Sequence, residues 1–180
     1  DLALASLIQA KLGLPVYLHE GDISQRGFLV EAWPCGLVVE IGPAPQSLLL
    51  TKIVQQTKIV IETILELLSN ISLGTVSYPA NLQLHRHLGS LDFPRDNYGR
   101  PEAFLHPDIQ GADWYPIAKG APLFTKASGE VIVFNEEDGV VPVFINEAAY
   151  CEKNIAMSLT RKEIWLVKSE WKDALNDLAK

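Results

Sequence analysis

The apolar positions change their period twice along this chain. Leu2, Leu4, Leu7, Ile8 and Leu12 recur at helical spacing and Gly13 follows them, which predicts a first helix with a glycine C-cap. Val16-Tyr17-Leu18, entered through Pro15, reads as a strand, and the polar, glycine-punctuated stretch from Asp22 to Glu31 as a surface loop. Leu37-Val38-Val39-Glu40-Ile41 is an aliphatic, β-branched run closed by Gly42-Pro43-Ala44-Pro45. It predicts a short buried strand with one carboxylate near its C-terminal end. From Ser47 to Leu68 the period returns to that of a helix. Leu50, Ile53, Val54, Thr57, Ile61, Ile64, Leu65 and Leu68 make one wide apolar stripe, most simply a core face and secondarily a face for a partner helix.

Composition shifts near Asn70 to Pro79, and short runs then alternate with turn residues. Val131-Ile132-Val133-Phe134, Val140 to Ile145 and Ile164-Trp165-Leu166-Val167 read as strands. Asn97-Tyr98-Gly99, Ser128-Gly129 and Glu137-Asp138-Gly139 read as turns. Ser169 to Lys180 predicts a closing helix, with Ser169 as N-cap and Trp171, Leu175 and Leu178 on one face. The expected organisation is an α/β portion over residues 1–75, a β-rich domain over 76–168 and a helix or tail over 169–180.

Of the 180 residues 48% are hydrophobic, enough for a core without disulfides. The net charge of −7 argues against a general nucleic-acid binder, which carries a basic stripe. Lys52, Lys58 and Glu62 interrupt the longest apolar stretch, so no bilayer span is expected. Cys35 and Cys151 form no CxxC pair, which fits two inert thiols in a reducing cytoplasm. The chain opens on Asp1 rather than Met, inside an apolar helical pattern, as a fragment or processed product would.

Glu40 is the first candidate for chemistry. A carboxylate at the end of a buried strand loses hydration, which raises its pKa and suits it to accept a proton. From pattern alone, a Glu paired to a Lys or Arg, or facing solvent, is the simpler reading. His85 and His87 alternate as on a strand, so they could share a metal, but an exposed strand face explains them as well. His106 before Pro107 reads as a local hydrogen-bonding residue, and His19 beside Glu20 stands at a strand end. No phosphate loop or nucleophile elbow is present. In Phe144-Ile145-Asn146-Glu147-Ala148-Ala149-Tyr150 a strand runs into an acidic pair, small residues and a phenol. Tyr150 could meet an anion or simply pack, and Glu147 could form an internal ion pair.

Four motifs in register make the chain resemble the aspartoacylase branch of the aspartoacylase / succinylglutamate desuccinylase family. They are Val39-Glu40-Ile41-Gly42-Pro43 with Pro45-Gln46; Asp92-Phe93-Pro94-Arg95-Asp96; His106-Pro107-Asp108-Ile109-Gln110 with Asp113-Trp114; and Pro142 to Tyr150 with Glu152-Lys153. The resemblance runs from the first helix to about Arg161 and covers only the C-terminal part of the family's length. It implies the end of a zinc-carboxypeptidase-like α/β domain followed by a mostly β C-terminal domain. Family members hydrolyse the amide of N-acyl amino acids, N-acetylaspartate above all. A zinc ion activates water and a glutamate shuttles its proton.

By this resemblance Glu40 is the catalytic proton shuttle, Tyr150 binds the substrate carboxylate and Glu147 supports. Arg26, the only arginine of the loop before Glu40, takes the place of a substrate-binding arginine. The family's His-Gly-x-Glu and Asp-x-His zinc ligands and its early Asn-Arg pair are absent from this sequence. No metal ligand is therefore expected within it, and no activity from the chain by itself. An N-acyl amino acid with an apolar side chain remains open as substrate, and a homo-oligomer is compatible with the family. The rival reading is a non-catalytic remnant that binds an acidic metabolite or a partner chain. The missing strands of a truncated α/β half would leave an exposed sheet edge and apolar faces, which predicts poor solubility for the chain by itself.

Overall fold

The computed structural model describes residues 1–20, 29–44 and 48–180. It is a mixed α and β structure that divides into two compact units. Unit 1 comprises Asp1–Val16, Gly21–Gln83 and Ile164–Lys180; unit 2 comprises Tyr17–Glu20 and Leu84–Glu163. Residues 76–83 and the closing helix therefore fall in unit 1.

Unit 1 is built on three helices, α1 (Leu2–Leu12), α2 (Thr51–Ser72) and α3 (Ser169–Leu178). Helix α1 stops where the sequence predicts, because Gly13 takes a left-handed φ of 67° and donates its N–H to Gln9 O. Its core is Ala3, Leu4, Leu7 and Ile8 with Leu67, Ile71 and Leu175. Gln9 grips the backbone of Gln83 from both sides, Nε2 donating to its carbonyl at 2.8 Å and Oε1 accepting from its N–H at 2.9 Å. Tyr78 donates its phenol proton to Asn176 Oδ1 at 2.8 Å, tying the chain before the β region to α3.

Three expectations change in this unit. Helix α2 buries Val60, Leu67 and Ile71 rather than the predicted stripe. Val54, Ile61, Leu65 and Leu68 of that stripe are exposed. The helix is apolar on two faces, and the sequence period could not choose which of them meets α1 and α3. Ser169 is the first helical residue and not the cap; Lys168 occupies the cap position without a side-chain bond. The run from Leu37 to Gly42 forms no strand. A β-branched run becomes a strand only by pairing, and this one has no ladder partner among the described residues. Val38 is 68% exposed, while Leu37 and Cys35, a free thiol, touch the helical core.

Unit 2 holds seven strands among the described residues. These are β1 (Tyr17–Leu18), β2 (Asn81–Leu91), β3 (Ala103–Leu105), β4 (Pro122–Lys126), β5 (Val131–Val133), β6 (Val140–Val143) and β7 (Met157–Leu166). The two ends Asn81–Gln83 and Ile164–Leu166 run on into unit 1. One sheet has the order β1-β2-β7-β6 and the other β3-β4-β5. Strand β1 lies parallel to β2 with Tyr17 opposite His85, and β6 runs antiparallel to β7 with Val141 opposite Thr160. The core draws on both sheets, through Leu105, Phe124, Phe134, Val140, Met157 and Leu159. Gly139, at φ 83°, makes the turn into β6 that the Asp-Gly pair predicts.

Candidate functional site

The parallel pairing of β1 and β2 brings Tyr17 and the two strand histidines to one place in unit 2. Side chains two apart on a strand share a face, so His85 and His87 start from the same side of β2. They meet different partners. His85 is buried, its ring 5.1 Å from that of Trp114 and its Nδ1 in a long 3.4 Å contact with Thr160 Oγ1. His87 meets Tyr17 OH through Nδ1 at 3.0 Å and the ring of His19 at a centroid distance of 4.6 Å, edge to face. Phe144 packs against Tyr17 at 5.1 Å and against Trp114 and Tyr150 at 6.0 Å.

The backbone under this cluster is unusual. Trp114, Phe144 and Asn146 have φ of 70°, 56° and 56°. Bulky L residues rarely adopt left-handed φ, and when they do the surroundings must hold them there. Here Trp114 N–H donates to Pro142 O, Ile145 N–H to Asp113 Oδ1 and Asn146 N–H to Ala156 O. Such strain gathers at functional sites, because it aims side chains where relaxed backbone would not.

Tyr150 sits in a 3-10 turn, Ala148–Lys153, directly after this corner. Its N–H donates to Glu147 O at 3.0 Å, and Lys153 Nζ lies 5.8 Å from its ring centre. The Glu147 side chain is exposed. Glu40 is also exposed, on irregular backbone in unit 1, so it lacks the buried strand-end setting expected of it. Arg26 lies outside the described residues, as do Pro45 and Gln46 of the first motif.

Two other motifs prove to be local scaffolding. Asp92 accepts two bonds from the Arg95 guanidinium, which holds its carboxyl below the ordinary value. Asp96 Oδ1 accepts from the N–H groups of Tyr98 and Arg100, fixing the predicted turn. His106 caps the short turn Pro107–Ile109, Nδ1 accepting from Asp108 N–H, as its place before proline suggests.

Among the described residues no three His, Cys, Asp or Glu side chains converge as a metal site requires. They offer no ligand set for the zinc that the resemblance implies. Nor is any helix among them long and apolar enough to cross a membrane. Tyr17, Trp114 and Phe144 are the members of the cluster that sequence reasoning missed as site residues. In sequence Tyr17 reads as a strand residue and Trp114 and Phe144 only as parts of longer motifs, and the left-handed turns and the β1–β2 register bring them together.

The buried imidazole of His85 and the half-buried one of His87 set a pH dependence. Burial lowers the pKa of His85, aided by nearby Lys162, and that of His87, aided by His19. A histidine depressed below its ordinary 6.5 holds fewer protons folded than unfolded once the pH drops to that value. Its stabilising contribution is complete above 6.5 and is lost as pH falls through the lower folded value. The depressed carboxyls of Asp92 and Asp96 act only lower still, below their ordinary 3.8. We expect the thermal midpoint to fall on acidification from about pH 7 to 5. The fall should be shallower in a His85→Gln/His87→Gln chain, and an equal slope in both would show that these groups are not buried.

Comparison with known proteins shows what the chain is similar to. Residues 80–162 match the model of the AstE/AspA barrel-sandwich hybrid domain. The curated "Probable aspartoacylase" of Prochlorococcus marinus strain MIT 9313 is 56% identical over 99% of this chain and is covered over 59% of its own length. That of Parasynechococcus marenigrum strain WH8102 is 50% identical, with the same two coverages. The chain thus spans about three fifths of the length of the curated relatives it matches. Among solved structures, a glutamate-to-alanine mutant of murine aminoacylase 3 aligns with a TM-score of 0.85 at 31% identity, over 92% of this chain and 55% of that one. Murine aminoacylase 3 itself aligns with a TM-score of 0.75 at 30% identity, over 92% and 56%. Residues 80–162 are thus similar to the AstE/AspA barrel-sandwich hybrid domain, in a chain that is similar to the curated aspartoacylases over nearly its whole length.

Proposed function

We propose that this chain is part of a longer enzyme that hydrolyses the amide bond of N-acyl amino acids in the cytoplasm. N-acetylaspartate, giving aspartate and acetate, is the substrate of first choice. The observation that carries the reading is the near-complete match of the chain to curated aspartoacylases. The left-handed turns at Phe144 and Asn146 support it further, because such strain gathers at functional sites and the Phe144 ring lies 6.0 Å from that of Tyr150, which the resemblance assigns to substrate. In this reading Tyr150 donates a hydrogen bond to the substrate carboxylate, and the positive charge of Lys153 near its ring favours an anion there. Glu40 takes a proton from the attacking water and passes it to the leaving amine. Zinc, held by residues outside this chain, would supply Lewis acidity.

The test is acetate release from N-acetyl-L-aspartate by the longest polypeptide that carries this sequence, with and without a zinc chelator. We expect release that the chelator abolishes and that added zinc restores. Release untouched by the chelator would remove zinc from the reading. No release from N-acetyl-L-aspartate or from a panel of apolar N-acetyl amino acids would leave a non-catalytic binding module in its place.

A further inference from the structure

The start of β6 carries a cleft that the reading above does not use. It lies within unit 2 and has a volume of about 360 Å³, at the small end of the range for ligand sites, about 300–1,000 Å³. Its lining spans three neighbouring strands, with Leu88 on β2, Arg161 on β7 and Val140 on β6. Val140 and Arg161 stand directly opposite each other in the β6–β7 register, so their side chains leave the same face of the sheet. Val140 is buried, while Leu88 is 46% exposed and offers apolar surface to an occupant.

The rest of the lining comes from two chain segments that hydrogen bonds hold in place. Ile117 N–H donates to Val140 O, Gly120 N–H to Phe134 O and Phe134 N–H to Ala121 O. Lys119 N–H donates to Asp138 Oδ1 at 2.7 Å. Lys119, Glu136 and Glu137 thus line the cleft from backbone that is tied on both sides of them. The charges are mixed. Arg161 and Glu137 meet at 3.4 Å, a long and exposed pair of the kind that contributes little and opens readily. Lys119 and Glu136 make no ion pair among the described residues. A simple anion would face two carboxylates here, and a simple cation two positive side chains. A small molecule that carries both charges satisfies both.

We propose that this cleft binds a free α-amino acid with an apolar side chain, its carboxylate on Arg161 and Lys119, its ammonium on Glu136 and Glu137 and its side chain on Leu88. The planar guanidinium suits the two oxygens of a carboxylate, and the lysine adds charge. Val140 begins β6 and Tyr150 follows its end, so the cleft is separate from the site proposed above, and the inference stands whether or not that reading holds. A free amino acid is also what hydrolysis of an N-acyl amino acid releases. The acylated nitrogen of a substrate carries no charge for Glu136 and Glu137, so the cleft discriminates product from substrate.

The experiment is equilibrium dialysis of labelled L-leucine against the longest polypeptide that carries this sequence, repeated with variants. We expect saturable binding that Arg161→Gln and Glu136→Gln each weaken about tenfold, the worth of one hydrogen bond to a charged group. Arg161→Lys should recover part of the first loss. Lys162→Gln, an exposed cation next along β7, should bind as the parent does. All four side chains are exposed, so the thermal midpoint should hold in each variant. As competitors, N-acetyl-L-leucine, L-leucinamide and glycine each lack one of the three groups recognised, and each should be at least about tenfold weaker than L-leucine. No saturable binding at millimolar L-leucine overturns the inference. So does equal competition by N-acetyl-L-leucine, or binding that Tyr150→Phe weakens while Arg161→Gln and Glu136→Gln leave it unchanged, since the amino acid then sits in the other site.

Discussion

Replacing Phe134 with alanine should cost about 3–5 kcal/mol, the range for emptying a large aromatic site in a packed core. Phe134 is 1% exposed and shares its core with Phe124, Ile117, Val140 and Leu159. The surroundings are poorly able to close on the gap. Phe134 N–H donates to Ala121 O and its carbonyl accepts from Gly120 N–H, so the backbone is held on both sides. Against a total stability of about 5–15 kcal/mol for a domain, such a loss unfolds a large fraction of unit 2. Denaturant midpoints measure it, with Phe134→Leu recovering much of the loss. Phe104→Ala is the control, since Phe104 is 71% exposed and should change stability by no more than about 0.5 kcal/mol. Equal effects at the two positions would mean that the core is misassigned.

Glu40→Gln should lower turnover about 10²–10⁴-fold in the longest polypeptide that carries this sequence, the contribution of a positioned acid–base group. The amide keeps the size of the carboxylate and loses its ability to take a proton. Substrate binding should change far less than turnover, so kcat falls and KM holds. In the 180-residue chain the same change should leave the thermal midpoint unmoved, because Glu40 is exposed and sits on irregular backbone. Near-normal turnover of the variant would reassign the base.

Local signals were legible wherever one residue type decides the geometry. Gly13 ends α1 because the C-cap needs a left-handed φ, and the Asp138-Gly139 pair turns the chain into β6 for the same reason. His106 before Pro107 caps its turn from a position that sequence alone identifies. What depends on a distant partner was not legible. Strand β2 is the longest among the described residues, yet its burial alternates cleanly only over Leu82 and Leu84 before two buried positions fall together at Leu84 and His85. The Leu37 to Gly42 run has strand composition and no pairing partner among the described residues. For the candidate site, motif resemblance pointed to Tyr150, while the Tyr17–His87 contact joins residues 70 apart in sequence and follows from strand register alone.

The interleaving of the two units has a consequence for anyone who wishes to cut the protein. Unit 1 draws on three separate stretches of chain, so no single break releases either unit intact. A truncation at residue 163 removes Trp171 and Leu175 and bares Leu67 and Ile71 on α2. A break near residue 76 separates α1 and α2 from the strand end that Gln9 holds and takes Tyr17 away from His87. Limited proteolysis should therefore pass from intact chain to small peptides without a stable intermediate fragment. Internal tags or permuted termini belong in exposed turns such as Ser128-Gly129, where both flanking strands stay within one unit.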